Sequence, residues 1–182
     1  MKHGKNFKIG EYNLIDDDVI FGDNVTIGNF CCIKSGTVIG NNTLIMDYVK
    51  MMPDAIIGDD CKIDDYVTTS GYVKIGNRVR IKRCSMIGQA VEIEDDAWIG
   101  SGVKTTRIKY PGVISEKEEK EEWIKICKGA MVGSATLILA GVTVGEGALI
   151  GAGSIIAKDC EPYGIYRSKR AELVGNRKDN IK

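Results

Sequence analysis

The chain has 182 residues, of which 43% are hydrophobic, and it carries 25 acidic and 25 basic side chains, so its formal net charge is zero. A balanced charge argues against a nucleic-acid or membrane-surface protein, whose binding surface would be basic. The first residues lack the apolar run of a signal peptide, and no apolar stretch approaches the length of a membrane span. We therefore expect one cytoplasmic domain with no nucleic-acid or membrane partner.

A large apolar residue returns at every sixth position over most of the sequence. Thr69 and Thr105 are the exceptions, and the pattern is interrupted once before it restarts at Ile126. A hexapeptide period is typical of the parallel β-helix, in which each repeat packs only on its neighbours. The repeat positions, as we call them, are Ile9, Ile15, Phe21, Ile27, Ile33, Ile39, Ile45, Met51, Ile57, Ile63, Thr69, Ile75, Ile81, Ile87, Ile93, Ile99, Thr105, Ile126, Val132, Ile138, Val144, Ile150 and Ile156.

Each hexapeptide is predicted to form a three-residue strand, with side chains in, out and in, followed by a three-residue corner. Glycine often follows the repeat position, and Asp or Asn comes next, as in Gly22-Asp23-Asn24. We interpret these residues as ones that tolerate the positive φ of a sharp corner. Three hexapeptides close a triangular coil, and seven to eight coils are predicted, stacked about 4.8 Å apart.

The interruption lies between Thr105 and Ile126, where residues 106–123 replace a corner that needs three residues. The pattern places this loop directly above the corners that hold Gln89 and Tyr72. Long loops on rigid scaffolds are usually functional. We expect function at the root of the loop, residues 106–111, and a solvated helical turn in its acidic half, residues 115–122.

The chain resembles the left-handed β-helix, hexapeptide-repeat acyltransferases over about residues 9–162. Matching units include Ile99-Gly100-Ser101-Gly102-Val103 and Ile150-Gly151-Ala152-Gly153-Ser154. The resemblance implies an all-β, left-handed parallel β-helix over residues 1–162, with an extruded loop at 106–123. A short C-terminal tail at 163–182, as a helix or a strand, completes the predicted organisation.

Within this family the loop looks most like that of N-acetyltransferases acting on nucleotide-linked amino-deoxy sugars. Those enzymes carry a Thr-Asn-Asp-x-x-Pro segment, and Thr106, Tyr110 and Pro111 are in register with it. Trp123 and the run at 128–133, Lys-Gly-Ala-Met-Val-Gly, also match. The chain departs from the pattern at Arg107 and Ile108, where the Asn-Asp pair is expected.

The resemblance implies two groups of ligand-binding residues. Gln89 is the predicted catalytic residue, and the predicted acceptor-binding residues are Tyr72, Thr106, Arg107, Lys109 and Tyr110. Coenzyme A is expected beside the C-terminal coils, where small residues let pantetheine approach the backbone and basic residues meet the 3′-phosphate. The predicted coenzyme A residues are Gly129, Ala130, Gly133, Ala152, Gly153, Lys158, Arg167, Lys169 and Arg170.

Apolar side chains are predicted on both flanks of one edge near the C-terminal end. Trp98, Met131 and Leu149 share one face, and Leu137 and Ile155 share the next. Closed symmetric oligomers bury such patches, and the resemblance implies a homotrimer with active sites between protomers.

Histidine is almost absent, since His3 is the only one and precedes the first predicted coil. A histidine-bound metal is therefore excluded, as is the metal site of γ-class carbonic anhydrases. A hydroxyl acceptor needs an adjacent base, whereas a sugar amine is partly unprotonated at pH 7. The scarcity of histidine, together with the resemblance, therefore favours an acetyl-CoA-dependent N-acyltransferase acting on a nucleotide-linked amino sugar. The first alternative is an O-acetyltransferase or another small-molecule acyltransferase with a different base, and the second is a non-catalytic β-helix that serves as a scaffold or binding module.

Overall fold

The computed structural model describes residues 1–107 and 122–169, which form short strands joined by tight corners. Most strands have two residues rather than the predicted three. In chain order they are β1 (Lys2–His3), β2 (Lys8–Ile9), β3 (Leu14–Ile15), β4 (Ile20–Phe21), β5 (Thr26–Ile27), β6 (Cys32–Ile33), β7 (Val38–Ile39), β8 (Leu44–Ile45), β9 (Lys50–Met51), β10 (Ile56–Ile57), β11 (Lys62–Ile63), β12 (Thr68–Thr69), β13 (Val73–Ile75), β14 (Arg80–Ile81), β15 (Met86–Ile87), β16 (Val91–Ile93), β17 (Trp98–Ile99), β18 (Lys104–Thr105), β19 (Ile124–Ile126), β20 (Met131–Val132), β21 (Leu137–Ile138), β22 (Thr143–Val144), β23 (Leu149–Ile150), β24 (Ile155–Ile156) and β25 (Ile165–Tyr166).

These strands build three parallel sheets, which we call A, B and C. Sheet A runs from β1 through every third strand to β22, sheet B from β2 to β23 and then β25, and sheet C from β3 to β24. Corner AB joins sheet A to sheet B in each coil, as at residues 22–25, and corners BC and CA follow, as at 28–31 and 34–37. The fold is the predicted parallel β-helix of about eight coils, and its left hand stays a prediction from the resemblance.

The repeat positions face the interior. From Phe21 onwards nearly all of them are buried, and together with the small inward residues they form one continuous core. Ile9, in the first coil, is the clear exception and is 44% exposed. The in-out alternation of a strand thus converts a period of six into a filled triangular prism.

The predicted reason for the corner glycines is wrong. Gly22 and Gly40 do not have positive φ; the positive φ falls two residues later, at Asn24 and Asn42. The glycines are needed because the next coil is too close: a Cβ at Gly22 would lie 2.5 Å from Oδ1 of Asn41 and 2.8 Å from its backbone nitrogen. That Asn41 oxygen accepts a hydrogen bond of 2.8 Å from the backbone N–H of Asp23.

Two buried threonine hydroxyls provide a stability test. Oγ1 of Thr37 and of Thr69 has no hydrogen-bond partner among the described residues, whereas Oγ1 of Thr43 donates to the Gly58 carbonyl at 3.0 Å. Thr69→Val is expected to raise the free energy of unfolding by about 1 kcal/mol, and Thr43→Val to lower it by about 1–3 kcal/mol. Urea denaturation of both variants measures the difference, and a loss of stability in Thr69→Val would contradict the buried, unpaired hydroxyl.

The β-helix continues beyond residue 162. Strand β25 pairs with β23 in sheet B through Leu149 and Ile165, so residues 163–169 extend the last coil. Among the residues the structure describes, no helix is long and apolar enough to cross a membrane. The same residues contain no cluster of three or more His, Cys, Asp or Glu side chains that could hold a metal ion.

Candidate functional site

The extruded loop leaves the β-helix at corner CA, and its two ends are fixed to the coils on either side. Thr106 donates its backbone N–H to the Ile138 carbonyl at 3.0 Å, and its Oγ1 accepts from the Ala140 N–H at 3.0 Å. On the return side, Gly141 donates to the Glu122 carbonyl at 3.2 Å. The β-helix is therefore uninterrupted across the loop, and the root of the loop is held rigidly.

The coil below contributes to the same root. The Gly88 N–H donates to Oγ1 of Thr105 at 2.6 Å, and Ile124 donates its N–H to the Ala90 carbonyl at 3.0 Å. Thr105 was the second polar exception in the repeat pattern. Its hydroxyl ties the departing chain to the corner that holds Gln89.

Four predicted site residues lie at corner CA in successive coils. Tyr72 is exposed and has a φ of 57°. Gln89 is half-buried one coil further on, and Thr106 with the exposed Arg107 follows in the next coil. The predicted position of the loop root, in the same corner as Gln89 and Tyr72, is thus confirmed. Lys109 and Tyr110 lie outside the described residues, as do Ile108, Pro111 and the acidic run up to Glu121.

The returning end of the loop meets sheet A. Nζ of Lys74 lies 5.4 Å from the ring centroid of Trp123, a distance at which a cation is attracted to an aromatic face. In the next coils Lys125 forms an ion pair of 2.7 Å with Glu94, and this hydrogen bond holds the pKa of Glu94 below its ordinary value. Lys74 and Glu94, together with Lys128, line a depression of about 380 Å³ that the sequence did not predict.

The predicted coenzyme A residues are divided among the three corners. Gly129 and Ala130 lie at corner AB, and Ala130 is fully buried in the core. Lys158 lies at corner CA. A single chain therefore does not bring the eight described members of this set together, because consecutive hexapeptides occupy different corners of the prism.

Corner BC holds the remaining described members of that set. Gly133, Ala152 and Gly153 follow one another there, and the segment after β25 folds against them, with the Ser168 hydroxyl donating to the Gly153 carbonyl at 3.2 Å. Arg167 and Lys169 flank Ser168, and Arg170 lies outside the described residues. A Cβ at Gly153 would meet no heavy atom within 4 Å, so the corner presents bare backbone.

Apolar side chains flank this bare corner on both sides, as predicted. Met131 pairs with Trp98 and Leu149 in sheet B, and Leu137 pairs with Ile155 in sheet C. The edge is therefore flanked by two rows of apolar side chains, in which Met131, Leu149 and Ile155 are exposed and Trp98 and Leu137 are half-buried.

The outward positions of sheets B and C carry a second pattern that the sequence prediction missed. In the described strands these positions include basic residues and no acidic residue, although the whole chain has equal numbers of both. The outward basic residues are Lys8, Lys62 and Arg80 in sheet B and Lys50 and Lys104 in sheet C. The pattern is readable in the sequence, because the outward residue always precedes the repeat position.

His3 lies far from the loop. It is part of β1 in the first coil and stacks on Phe7 with the ring centroids 4.8 Å apart, so the expectation that it precedes the first coil is wrong. The loop leaves at β18, five coils further on, which corresponds to about 24 Å along the prism. The described part of corner CA around the loop therefore contains no imidazole.

Together these features define a hexapeptide-repeat protein of the parallel β-helix class. Residues 6–40, 36–71 and 55–89 match the family described as "Bacterial transferase hexapeptide (six repeats)". Residues 6–89 thus carry hexapeptide repeats of that family, and the predicted resemblance to hexapeptide-repeat transferases is confirmed over these residues.

One relative and two solved structures show the extent of the similarity. The bifunctional protein GlmU of Thermotoga petrophila is 36% identical over 110 residues, which cover 56% of this chain and 23% of that protein. The chain thus spans about a quarter of that relative's length. The UDP-N-acetylglucosamine acyltransferase LpxA of Bacteroides fragilis is 23% identical with a TM-score of 0.70, covering 90% of this chain and 66% of that chain.

The N-acyltransferase AntD of Bacillus cereus, solved as a point mutant in complex with dTDP and coenzyme A, is 19% identical with a TM-score of 0.53. The match covers 95% of this chain and 86% of that chain. At these identities both solved structures show a shared fold.

Proposed function

We propose that the protein is a homotrimeric acyltransferase that moves an acyl group, acetyl by default, from coenzyme A to the amine of a nucleotide-linked amino sugar. The observation that carries the proposal is the loop rooted at corner CA without an imidazole. An amine acceptor needs no strong base, whereas a hydroxyl acceptor does. The matching family is a transferase family, and two proteins of the same fold support the class, since LpxA is a UDP-N-acetylglucosamine acyltransferase and AntD is an N-acyltransferase.

The trimer assembles along corner BC, where bare backbone lies between exposed apolar rows. Three prisms that meet at this edge leave a cleft between sheet B of one protomer and sheet C of the next. The rim of each cleft is then formed by corner AB of one protomer and corner CA, with the loop, of its neighbour. This arrangement brings Gly129 of one protomer towards the site around Gln89 of the next, which a single protomer does not do.

The charge of the cleft suits anionic ligands. Lys62 and Arg80 project from sheet B, and Lys50 and Lys104 project from sheet C, with no outward carboxylate beside them in the described strands. Lys50 and Lys104 form no ion pair with any described residue. Coenzyme A and a nucleotide-linked sugar both carry phosphates, which such cations attract.

In the proposed reaction the sugar amine attacks the thioester carbonyl, a C–N bond forms and the C–S bond breaks. The coenzyme A thiolate leaves, and the proton of the ammonium passes to it through solvent. Gln89 donates its amide N–H to the developing oxyanion or to the sugar, Tyr72 and Thr106 position the sugar, and Arg107 meets its diphosphate. Lys109 and Tyr110 are proposed as further acceptor contacts.

Binding of coenzyme A gives the first test. Arg167 and Lys169 follow the last strand at corner BC and are proposed, with Arg170 and Lys158, to hold the 3′-phosphate. The double variant Arg167→Ala/Lys169→Ala is expected to bind coenzyme A at least about 100-fold more weakly in calorimetry, since each of the two charged hydrogen bonds contributes about 1.5–3 kcal/mol. Dephospho-coenzyme A, which lacks the 3′-phosphate, should bind the variant and the parent alike. An equal loss for both ligands would contradict the assignment.

The pH dependence gives the second test. Without an enzymic imidazole, kcat/KM is expected to rise with pH as the acceptor amine loses its proton and to level off above the pKa of that amine. His3→Ala should follow the parent protein at every pH, because His3 lies in the first coil. A tenfold loss of kcat/KM in His3→Ala, with unchanged assembly, would contradict direct attack by the free amine.

A further inference from the structure

Four aromatic rings form a continuous stack along corner BC in the first four coils. We call Tyr12, Phe30, Tyr48 and Tyr66 the aromatic column. Successive ring centroids are 5.0, 5.0 and 4.8 Å apart, and the rings are inclined by only 13°, 4° and 4°. Each residue is nevertheless between 44% and 75% exposed. A monomer seldom leaves a contiguous apolar ridge of this kind in water.

The corner itself does not require aromatic residues. All four members of the column have φ between 56° and 59°, a left-handed conformation that glycine and asparagine adopt more easily than bulky residues do. At the equivalent position of corner AB the chain has Asn6, Asn24 and Asn42. The column therefore places large rings in an unfavourable backbone conformation, at an edge where they are exposed.

We infer that the aromatic column is a contact surface for other copies of this chain, and that three columns meet on the axis of the homotrimer. The inference rests on the trimer of the proposed function. Beyond that trimer, the inference identifies corner BC as the edge that faces the axis in the N-terminal half and the aromatic column as the residues that make the contact. The column is continuous with the bare part of corner BC, because the same corner position is occupied in later coils by Cys84, Gly102, Ala135 and Gly153.

The spacing of the rings identifies the partner. The column repeats with the rise of the β-helix, so a complementary surface must present a contact about every 4.8 Å along three intervals. A parallel copy of this chain does so in register at every coil. The prisms are held apart by rings in the first four coils and approach more closely where the corner carries glycine and alanine.

Cys84 makes the inference testable in the protein as it exists. Cys84 is exposed and has a φ of 61°. Its N–H donates to the Asp65 carbonyl of the preceding coil at 3.0 Å, as the N–H groups of Phe30, Tyr48 and Tyr66 donate to the coil before theirs. It therefore continues the column by one coil. Three Cys84 thiols should converge on the axis, within reach of a short bismaleimide.

The experiment uses the full chain with Cys32→Ser and Cys127→Ser, which removes the two other cysteines that are not buried. Treatment with the bismaleimide is expected to join about two of every three chains into covalent dimers, and Cys84→Ser should abolish the product. A trimer in solution whose Cys84 residues do not cross-link would overturn the inference while leaving the trimer intact. A monomer would overturn both.

Substitution of the column provides an independent readout. Asparagine keeps the left-handed backbone, so Phe30→Asn/Tyr48→Asn is expected to preserve the coil and raise the concentration of half-dissociation at least tenfold in analytical ultracentrifugation. Tyr163→Asn is the matched control, since Tyr163 is exposed with a φ of 57° at corner AB. Equal assembly of the column variant and the control would overturn the inference.

Discussion

Gly100→Ala is expected to lower the free energy of unfolding by about 3 kcal/mol or more, because the added methyl group has no space between coils. Its Cβ would lie 2.5 Å from the backbone nitrogen of Ser134 and 2.8 Å from the carbonyl carbon of Gly133. The neighbours are backbone atoms, so no side chain can rotate away. Relief requires the two coils to separate, which weakens the Gly100 N–H bond to the Val132 carbonyl, now 2.7 Å.

Gly102→Ala is the matched control for this substitution. It lies in the same corner with a φ of 68°, and a Cβ there would meet no atom within 4 Å. We expect a loss of only about 1–2 kcal/mol, from the left-handed backbone alone. Urea denaturation of the two variants compares the stability lost through a steric clash between coils with the stability lost through a positive φ alone. Equal losses would show that the spacing between coils does not determine where glycine is required.

Replacement of the loop is expected to reduce acyl transfer by at least about 100-fold, equivalent to about 2.7 kcal/mol of transition-state stabilisation. The variant joins Thr106 to Ile124 through Gln-Ala, the residues that follow Gly88 in the same corner one coil below. It should still fold, because both ends of the loop are bonded to neighbouring coils. Coenzyme A binding should remain within threefold of the parent protein, since Arg167 and Lys169, which are proposed to contact the 3′-phosphate, lie at corner BC and are unchanged.

A second loop variant separates the root from the acidic half. Replacing residues 115–121 by a Gly-Ser segment of equal length keeps residues 106–114 and is expected to retain activity within about threefold of the parent, since this half is predicted to be a solvated surface. Activity is measured by release of the coenzyme A thiol with the same acceptor for both variants. Near-normal acyl transfer by the first variant, in which Gln-Ala replaces the loop, would show that the loop is not part of the active site.

The regular part of the structure was predictable from the sequence because one physical rule governs it. Side chains alternate along a strand, so a period of six specifies which residues are buried, which face outward and where the loop leaves. Phe21, Ile63 and Ile138 are buried as that rule requires. The paired apolar rows around Met131 follow from the same register.

The features that the prediction missed depend on distances between coils. No local sequence rule states that Gly22 faces the Asn41 side chain one coil later, so the glycine was assigned to positive φ. Contacts across the loop, such as that between Lys74 and Trp123, join residues far apart in the chain. The six-residue period alone predicts that the proposed coenzyme A residues lie at three different corners. Similarity of short motifs does not show this, because it does not assign each residue to a corner.

Charge is distributed unevenly among the faces of the prism, with basic residues at the outward positions of sheets B and C. Zero net charge excluded a strongly basic protein, yet it concealed a segregation of charge among the faces of the prism. Carboxylates concentrate at corner AB, where Asp95 and Asp96 bind Arg78 at 3.4 Å and 2.6 Å. Sheets B and C keep their outward cations, which is the arrangement that an anion-binding cleft requires.

The most direct test of the account is a mass-spectrometric comparison of matched acceptors. The protein is incubated with acetyl-CoA and with nucleotide-linked sugars that differ only in carrying an amino or a hydroxyl group at one position. If the protein is an N-acyltransferase, an amino sugar gains one acetyl group with release of one coenzyme A per transfer, and its hydroxyl counterpart does not react. Acetylation of hydroxyl acceptors alone would contradict N-acyl transfer, and the absence of both transfer and coenzyme A binding would leave a β-helix without the proposed activity.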